Sequence, residues 1–165
     1  MRFMIANFLL ALLPPTRLFG LKRRLLRMLG IILGKGTSIC GGVQFFGGGR
    51  VLIGRDCWIG INTKFYTSPN GNVTIGDFCD IAPDTCFMNG SHEMGDSHRR
   101  AGAGRSQHIE VGPGTWIGVR SILLGGSQIG PGCMIAAGSL VLDQKVEANT
   151  LLAGIPARVI RQLEA

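Results

Sequence analysis

Apolar positions recur every six residues from Val111 to Val146, where the chain reads VGPGTW, IGVRSI, LLGGSQ, IGPGCM, IAAGSL, VLDQKV. An aliphatic side chain opens each six, and Thr, Ser or Cys takes the fifth place in five of them. A period of six fits neither a helix of about 3.6 residues per turn nor the two-residue alternation of a strand. It fits a β-solenoid, where each six supplies one short strand and one corner and three sixes close a coil. The same phase runs backwards. Leu33, Ile39 and Phe45 open one coil, Ile53, Ile59 and Phe65 the next, and Ile75, Ile81 and Phe87 a third. Val111, Ile117, Leu123 and then Ile129, Ile135, Val141 complete about five coils. Thr37, Val43, Cys57, Thr63, Cys79, Thr85, Ser91, Thr115, Ser121, Ser127, Cys133 and Ser139 share the fifth-place phase. Phe at the third opening of three successive coils predicts an aromatic stack inside one edge of the prism.

The interruptions are as informative as the repeat. Residues 47–50 (GGGR) and 66–72 (YTSPNGN) lengthen corners with turn chemistry. In the third coil, residues 93–107 (EMGDSHRRAGAGRSQ) leave the sixes entirely. A polar, Gly-containing excursion from a rigid solenoid is a place for function. Three segments follow from this pattern: residues 1–32 before the repeat, the solenoid over 33–152 with its loop at 93–107, and a tail over 153–165. The tail reads as a Pro-bearing bend and a short basic strand or helix.

Composition sharpens the first segment. Of the net charge of +7, residues 1–30 hold six basic side chains and no acid; the rest holds eleven basic and ten acidic. Nucleic acid is therefore not the expected partner of the solenoid. Residues 3–13 (FMIANFLLALL) are too short to cross a bilayer. They resemble a secretory h-region but lack its flanks. From Arg17 to Ile32 the chain reads as an amphipathic helix, with Leu18, Leu21, Leu25, Met28, Leu29 and Ile32 on one face. That helix either covers the open end of the solenoid or lies on an anionic membrane surface; the sequence leaves both open. The five cysteines form no CxxC pair and read as small buried apolar groups in a reducing cytoplasm.

All three histidines stand at the excursion: His92 on its threshold, His98 within it, His108 at its return. A histidine anchored on a rigid scaffold beside a loop suits a general base; a corner histidine with no role fits the same position.

The blocks SHEMG, RRAG, GTWIG, AAGS and AGIPARVIR, in that order over residues 33–165, resemble the hexapeptide-repeat acyltransferases. Among these the chain is most similar to the sugar and polysaccharide O- or N-acetyltransferases that include the maltose and galactoside enzymes. The resemblance implies an all-β, left-handed parallel β-helix, a homotrimer with sites between neighbouring prisms, and acetyl-CoA as co-substrate with no metal. It implies His92 as the base and a backbone amide near Gly118 and Val119 for the oxyanion. It further implies a groove at Ala136, Ala137 and Gly138 for pantetheine, with Trp116 and Gly154 beside the cofactor and Arg158 and Arg161 on its phosphates. The acceptor side departs from the pattern. Gly60 stands where the sugar enzymes carry Asn, so Trp58 and Asn62 become the acceptor-side candidates. Arg100, with Arg99 and Arg105, points to an anionic acceptor such as a nucleotide sugar or a lipid-linked saccharide. The implied location is the cytoplasm, with residues 1–32 in peripheral contact with the inner face of the membrane. Two readings from other classes stand against this one. A γ-class carbonic anhydrase needs three zinc histidines on facing coils, and a non-catalytic solenoid scaffold predicts no coenzyme binding.

Overall fold

The corner of each six is made at its fourth and fifth places. In the computed structural model, which describes residues 1–164, twelve fourth-place residues turn through a left-handed backbone, from Gly36 (φ 81°) and Asp56 (φ 51°) to Asn149 (φ 54°). Gly, Asn and Asp tolerate that region best, which is why they recur there. The fifth-place hydroxyl then closes the turn by donating to the carbonyl three residues back. Thr63 donates to Gly60 at 2.9 Å, Thr115 to Gly112 at 2.8 Å and Ser139 to Ala136 at 2.7 Å. Thr37, Ser121 and the Cys57, Cys79 and Cys133 thiols donate instead to carbonyls of the next coil, and Val43 fills its corner without a hydrogen bond. Ser91 alone of the fifth-place column is exposed, and it belongs to a hairpin.

Strands between the corners stack in parallel into three faces of a triangular prism, and the fold is a left-handed parallel β-helix. The first face holds six strands, from Ile32–Leu33 to Lys145–Val146. The second face runs from Ser38–Ile39 to Thr150–Gly154, and the tail strand Ala157–Gln162 folds back antiparallel on its last member. The third holds five strands, from Gln44–Gly47 to Leu140–Val141. Five full coils are followed by a partial sixth through Val146 and Leu152. The opening residues stack in register inside, Ile39 on Ile59, Ile81, Ile117, Ile135 and Leu152. Phe45, Phe65 and Phe87 form the expected aromatic column, with centroids 5.2 and 5.0 Å apart and rings within 7° of parallel. All five cysteines are free, and burial pushes the Cys40, Cys86 and Cys133 thiols up, away from the reactive thiolate.

Two helices close the first coil: α1 (Arg2–Leu12) and α2 (Phe19–Met28). On α1, Phe3, Ala6 and Leu10 are buried, and Phe3 extends the aromatic column at 5.7 Å from Phe45. Asn7 acts as a substitute strand, accepting from the Phe45 N–H at 2.9 Å and donating to its carbonyl at 3.0 Å. The basic side chains do similar work. Arg2 donates to Gly49 O, Arg23 to Thr37 O and Arg27 to Leu33 O, while buried Lys22 donates to Pro14 O and Pro15 O. Four of the six N-terminal cations therefore satisfy backbone carbonyls.

Of the two uses of α2 left open by the sequence, covering the first coil is seen, and part of the apolar stripe stays outside. The stripe is split: Leu25 and Leu29 are half-buried, Leu29 against the core, while Leu18, Leu21, Met28 and Ile32 are exposed, and Leu26 and Lys22 are inside. The bonds from Arg23 and Arg27 to the coil edge hold the helix in this orientation. On α1, Met4, Phe8 and Leu12 are likewise exposed. Among the described residues, no helix is long and apolar enough to cross a membrane.

Candidate active site

Residues 93–107 do not form a loose loop. The third-face strand Cys86–Met88 ends, and Gly90–Met94 pairs antiparallel with Ala101–Ser106 in a hairpin projecting from the edge between the third and first faces. Asn89 and Gln107 clamp its root: Gln107 donates from its backbone to Asn89 O at 3.0 Å and from its side chain to Asp143 at 2.8 Å. Asp96 turns the tip by accepting from the His98 and Arg99 amides.

His92 sits on the outgoing strand, exposed, directly opposite Gly104. Nothing lies within 4 Å of where a Gly104 Cβ would be. Residues opposite each other in an antiparallel pair share a face, with Cβ atoms about 4.5–5.5 Å apart, so the glycine leaves the imidazole's neighbourhood open. A cavity of about 640 Å³ there is lined by Ser68, Met88, Gly90, Ser91, His92, Gly104, Arg105 and Ser106. Arg105 pairs with Glu93 at 3.6 Å. Arg100, by contrast, is at the hairpin tip and reaches only Gly95 O at 3.4 Å; the arginine beside His92 is Arg105. His98 is also at the tip, and His108 accepts the Asn72 N–H on Nδ1 at 3.1 Å, so the three histidines do not converge.

The other candidates occupy different ground. Trp116 is exposed on the second face, paired between Asp80 and Met134. Met134 pairs with Leu151, and Leu151 with Arg161, so these residues climb one face towards the tail. Gly118 donates its N–H to Ile135 O at 2.8 Å; among the described residues no backbone acceptor meets the Val119 amide. Ala137 and Gly138 are exposed at the edge between the second and third faces, and a Cβ on Gly138 (φ 70°) would meet nothing within 4 Å. A smooth trough remains there. Gly154 (φ 106°) turns the chain into the tail strand, on which Arg158 and Arg161 are exposed, bonded only to nearby main-chain carbonyls. Trp58 packs edge-on against Phe19 at 5.5 Å, and Asn62 (φ 59°) makes a fourth-place corner. Neither lines the His92 cavity.

The candidates thus divide into two groups on different edges of one prism. A face six residues wide at about 3.3 Å per residue separates its edges by roughly 15–20 Å. One chain brings His92, Arg105 and the serines together, but leaves the Trp116 to Gly138 trough elsewhere.

Residues 108–143 match the family model described as bacterial transferase hexapeptide (six repeats). The galactoside O-acetyltransferase of Escherichia coli is 33% identical over 121 residues, covering 73% of this chain and 58% of that protein. The chain therefore spans just over half the length of that curated relative. Through its repeat the chain belongs to the bacterial transferase hexapeptide family. A colanic acid biosynthesis acetyltransferase of the same organism, described as putative, is 29% identical over 148 residues, covering 90% of this chain and 78% of that one. The crystal structure of a hexapeptide-repeat-containing acetyltransferase from Vibrio cholerae superimposes with a TM-score of 0.78 at 27% identity, over 99% of this chain and 90% of that one.

Proposed function

We propose that this chain is an acetyl-CoA-dependent acetyltransferase acting on a hydroxyl or amine of a saccharide. The observation that carries the reading is His92, exposed on a braced hairpin with an open space made by Gly104. The similarity to a galactoside O-acetyltransferase supplies the acceptor class. In the proposed step, His92 takes the proton from the acceptor hydroxyl or amine as that atom attacks the thioester carbonyl. The Val119 amide donates to the developing oxyanion. His92 then returns the proton to the departing coenzyme thiolate. The Ala137–Gly138 trough suits pantetheine, Trp116 and Gly154 flank it, and Arg158 and Arg161 suit the coenzyme phosphates.

The same reading makes the working unit a homotrimer. His92 and the trough lie on different edges of one prism, and a three-fold axis parallel to the prism brings the edge of one chain against the edge of the next. Thiol release from acetyl-CoA against a panel of sugars, nucleotide sugars and amines tests the activity. Release with any saccharide supports it; absence of both release and coenzyme binding favours the scaffold reading.

The outward stripe of α1 and α2 favours a peripheral membrane role as well, at the inner face of the membrane. Met4 and Met28 are each 75% exposed and Phe8 63%, beside Arg17 and Arg24, which the coil-edge carbonyls do not engage. Burying each such side chain contributes about 1.5–3 kcal/mol, and each cation near an anionic surface about 1 kcal/mol. Met4→Ser with Phe8→Ser leaves the buried face untouched and should abolish sedimentation with anionic liposomes. Equal sedimentation of variant and parent, or none by either, removes the membrane role.

A further inference from the structure

Three cavities adjoin along the edge between the third and first faces, and Met88 and Gly90 line all of them. The one on the first-coil side, about 250 Å³, has the walls Phe46, Gly47, Tyr66, Thr67, Ser68, Met88 and Gly90. It shares Ser68, Met88 and Gly90 with the His92 cavity. Nothing in the mechanism above uses it.

Phe46 and Tyr66 are outward neighbours of the internal phenylalanine column, adjacent in sequence to Phe45 and Phe65. Their rings stack at 4.8 Å and 10°. Carbon atoms in contact lie about 3.5–4.0 Å apart, so near-parallel rings at this centroid distance are offset, and each keeps part of its face uncovered. Both side chains are half-buried, and Met88 continues the stripe one coil further, its backbone in register with Tyr66. Hydroxyl groups flank it, from Ser68 below and Ser91 and Ser106 on the hairpin side, while the buried Thr67 hydroxyl donates to Phe46 O. Offset aromatic faces edged by hydroxyls suit the alternating C–H faces and hydroxyl rims of sugar rings.

Height along the prism decides which substrate reaches this stripe, and this step rests on the acetyltransferase reading. A three-fold axis parallel to the prism keeps equivalent coils level. Coenzyme held at Ala137 and Gly138 would meet the His92 edge from the fourth- and fifth-coil side. The first- and second-coil side, where Phe46 and Tyr66 stand, is left to the acceptor. Coils are about 4.8 Å apart, so Phe46 to Met88 spans roughly 10 Å, more than a single sugar ring covers.

We propose that the Phe46–Tyr66–Met88 stripe is an extended acceptor subsite that binds a saccharide of at least two units and leads its terminal ring to His92.

Tyr66 is the sole tyrosine of the chain, so a protein made with fluorotyrosine carries one fluorine reporter, on the stripe itself. Maltohexaose, cellohexaose and glucose are titrated into the full-length assembly and followed by fluorine NMR. Saturable shifts with a hexasaccharide, and markedly weaker ones with glucose, are the expected result. An unresponsive resonance with every sugar overturns the proposal, as does a resonance shielded from a soluble paramagnetic agent, which would place the stripe inside the trimer. Kinetics supply the second test. Tyr66→Ala and Phe46→Ala should each raise the acceptor KM about two- to tenfold at unchanged kcat, while Tyr66→Phe should match the parent. Unchanged KM in both alanine variants overturns the subsite alone. A responsive fluorine in a protein that transfers no acetyl group overturns the acetyltransferase reading and leaves the saccharide site standing.

Discussion

Asn7→Ala should destabilise the whole assembly although Asn7 touches neither candidate site. The side chain closes both backbone groups of Phe45, at 2.9 and 3.0 Å, where the first coil has no strand below it. Phe45 is 1% exposed, so water does not readily replace the lost partner. A buried donor or acceptor left without a partner costs about 1–3 kcal/mol, which puts the loss for two at roughly 2–6 kcal/mol. Phe3, stacked on Phe45, depends on the same placement of α1, so the loss should fall in the upper half of that range. Urea unfolding at one fixed protomer concentration measures it, since the stability of an assembly depends on concentration. Hydrogen exchange locates it: the Phe45 amide should lose protection while Ile135, deep in the fifth coil, keeps its own. A variant within about 0.5 kcal/mol of the parent, with Phe45 still protected, would refute the idea that α1 completes the solenoid.

The remaining predictions concern the site. Gly104→Leu should fold as the parent does, since a Cβ there meets nothing within 4 Å, yet lose transfer about a hundredfold because the side chain fills the space facing His92; near-parental kcat/KM would show that the acceptor does not pass there. Arg158→Ala with Arg161→Ala should raise the KM for acetyl-CoA at least about tenfold, the worth of one hydrogen bond to a charged group. An acetyl-pantetheine fragment should be affected far less, and equal losses for both would mean the tail acts through folding instead.

The repeat was legible because each place in a six has one physical task. Apolar openers fill the prism, fourth places turn left-handed, and fifth places take a small side chain that in many corners locks the turn with a hydroxyl, as Thr63 and Ser139 do. The N-terminal segment was only half legible. Its amphipathic pattern identified a helix near residues 19–28, but not that Lys22, Arg23 and Arg27 would be drawn to carbonyls of the chain itself. Hydrogen-bond demand at an open coil outweighed the burial of Leu21 and Met28. Residues 93–107 gave no strand pattern because both sides of a projecting hairpin face solvent, and small residues such as Gly102 and Gly104 replace alternation. The place of His92 at the root of the excursion was legible through its phase in the third coil. Arg105 was indistinguishable from Arg99 and Arg100 until pairing set it beside Ser91 and Glu93. The aromatic stripe was hidden because Phe46 and Tyr66 look like neighbours of core phenylalanines rather than members of a column of their own.

The central claim is that His92 of one chain works on coenzyme held in the trough of the next. Mixed assemblies test it most directly. His92→Ala should lose about 10²–10⁴-fold in rate, and Ala137→Trp, which fills the trough, should be inactive through coenzyme exclusion. The two variants, unfolded together and refolded in equal amounts, should regain about one quarter of the parental thiol-release rate, because a random three-fold assembly pairs an intact His92 with an intact neighbouring trough at one site in four. Recovery to that level is the result the account predicts; a mixture as inactive as its components, from trimers shown to contain both chains, would contradict it.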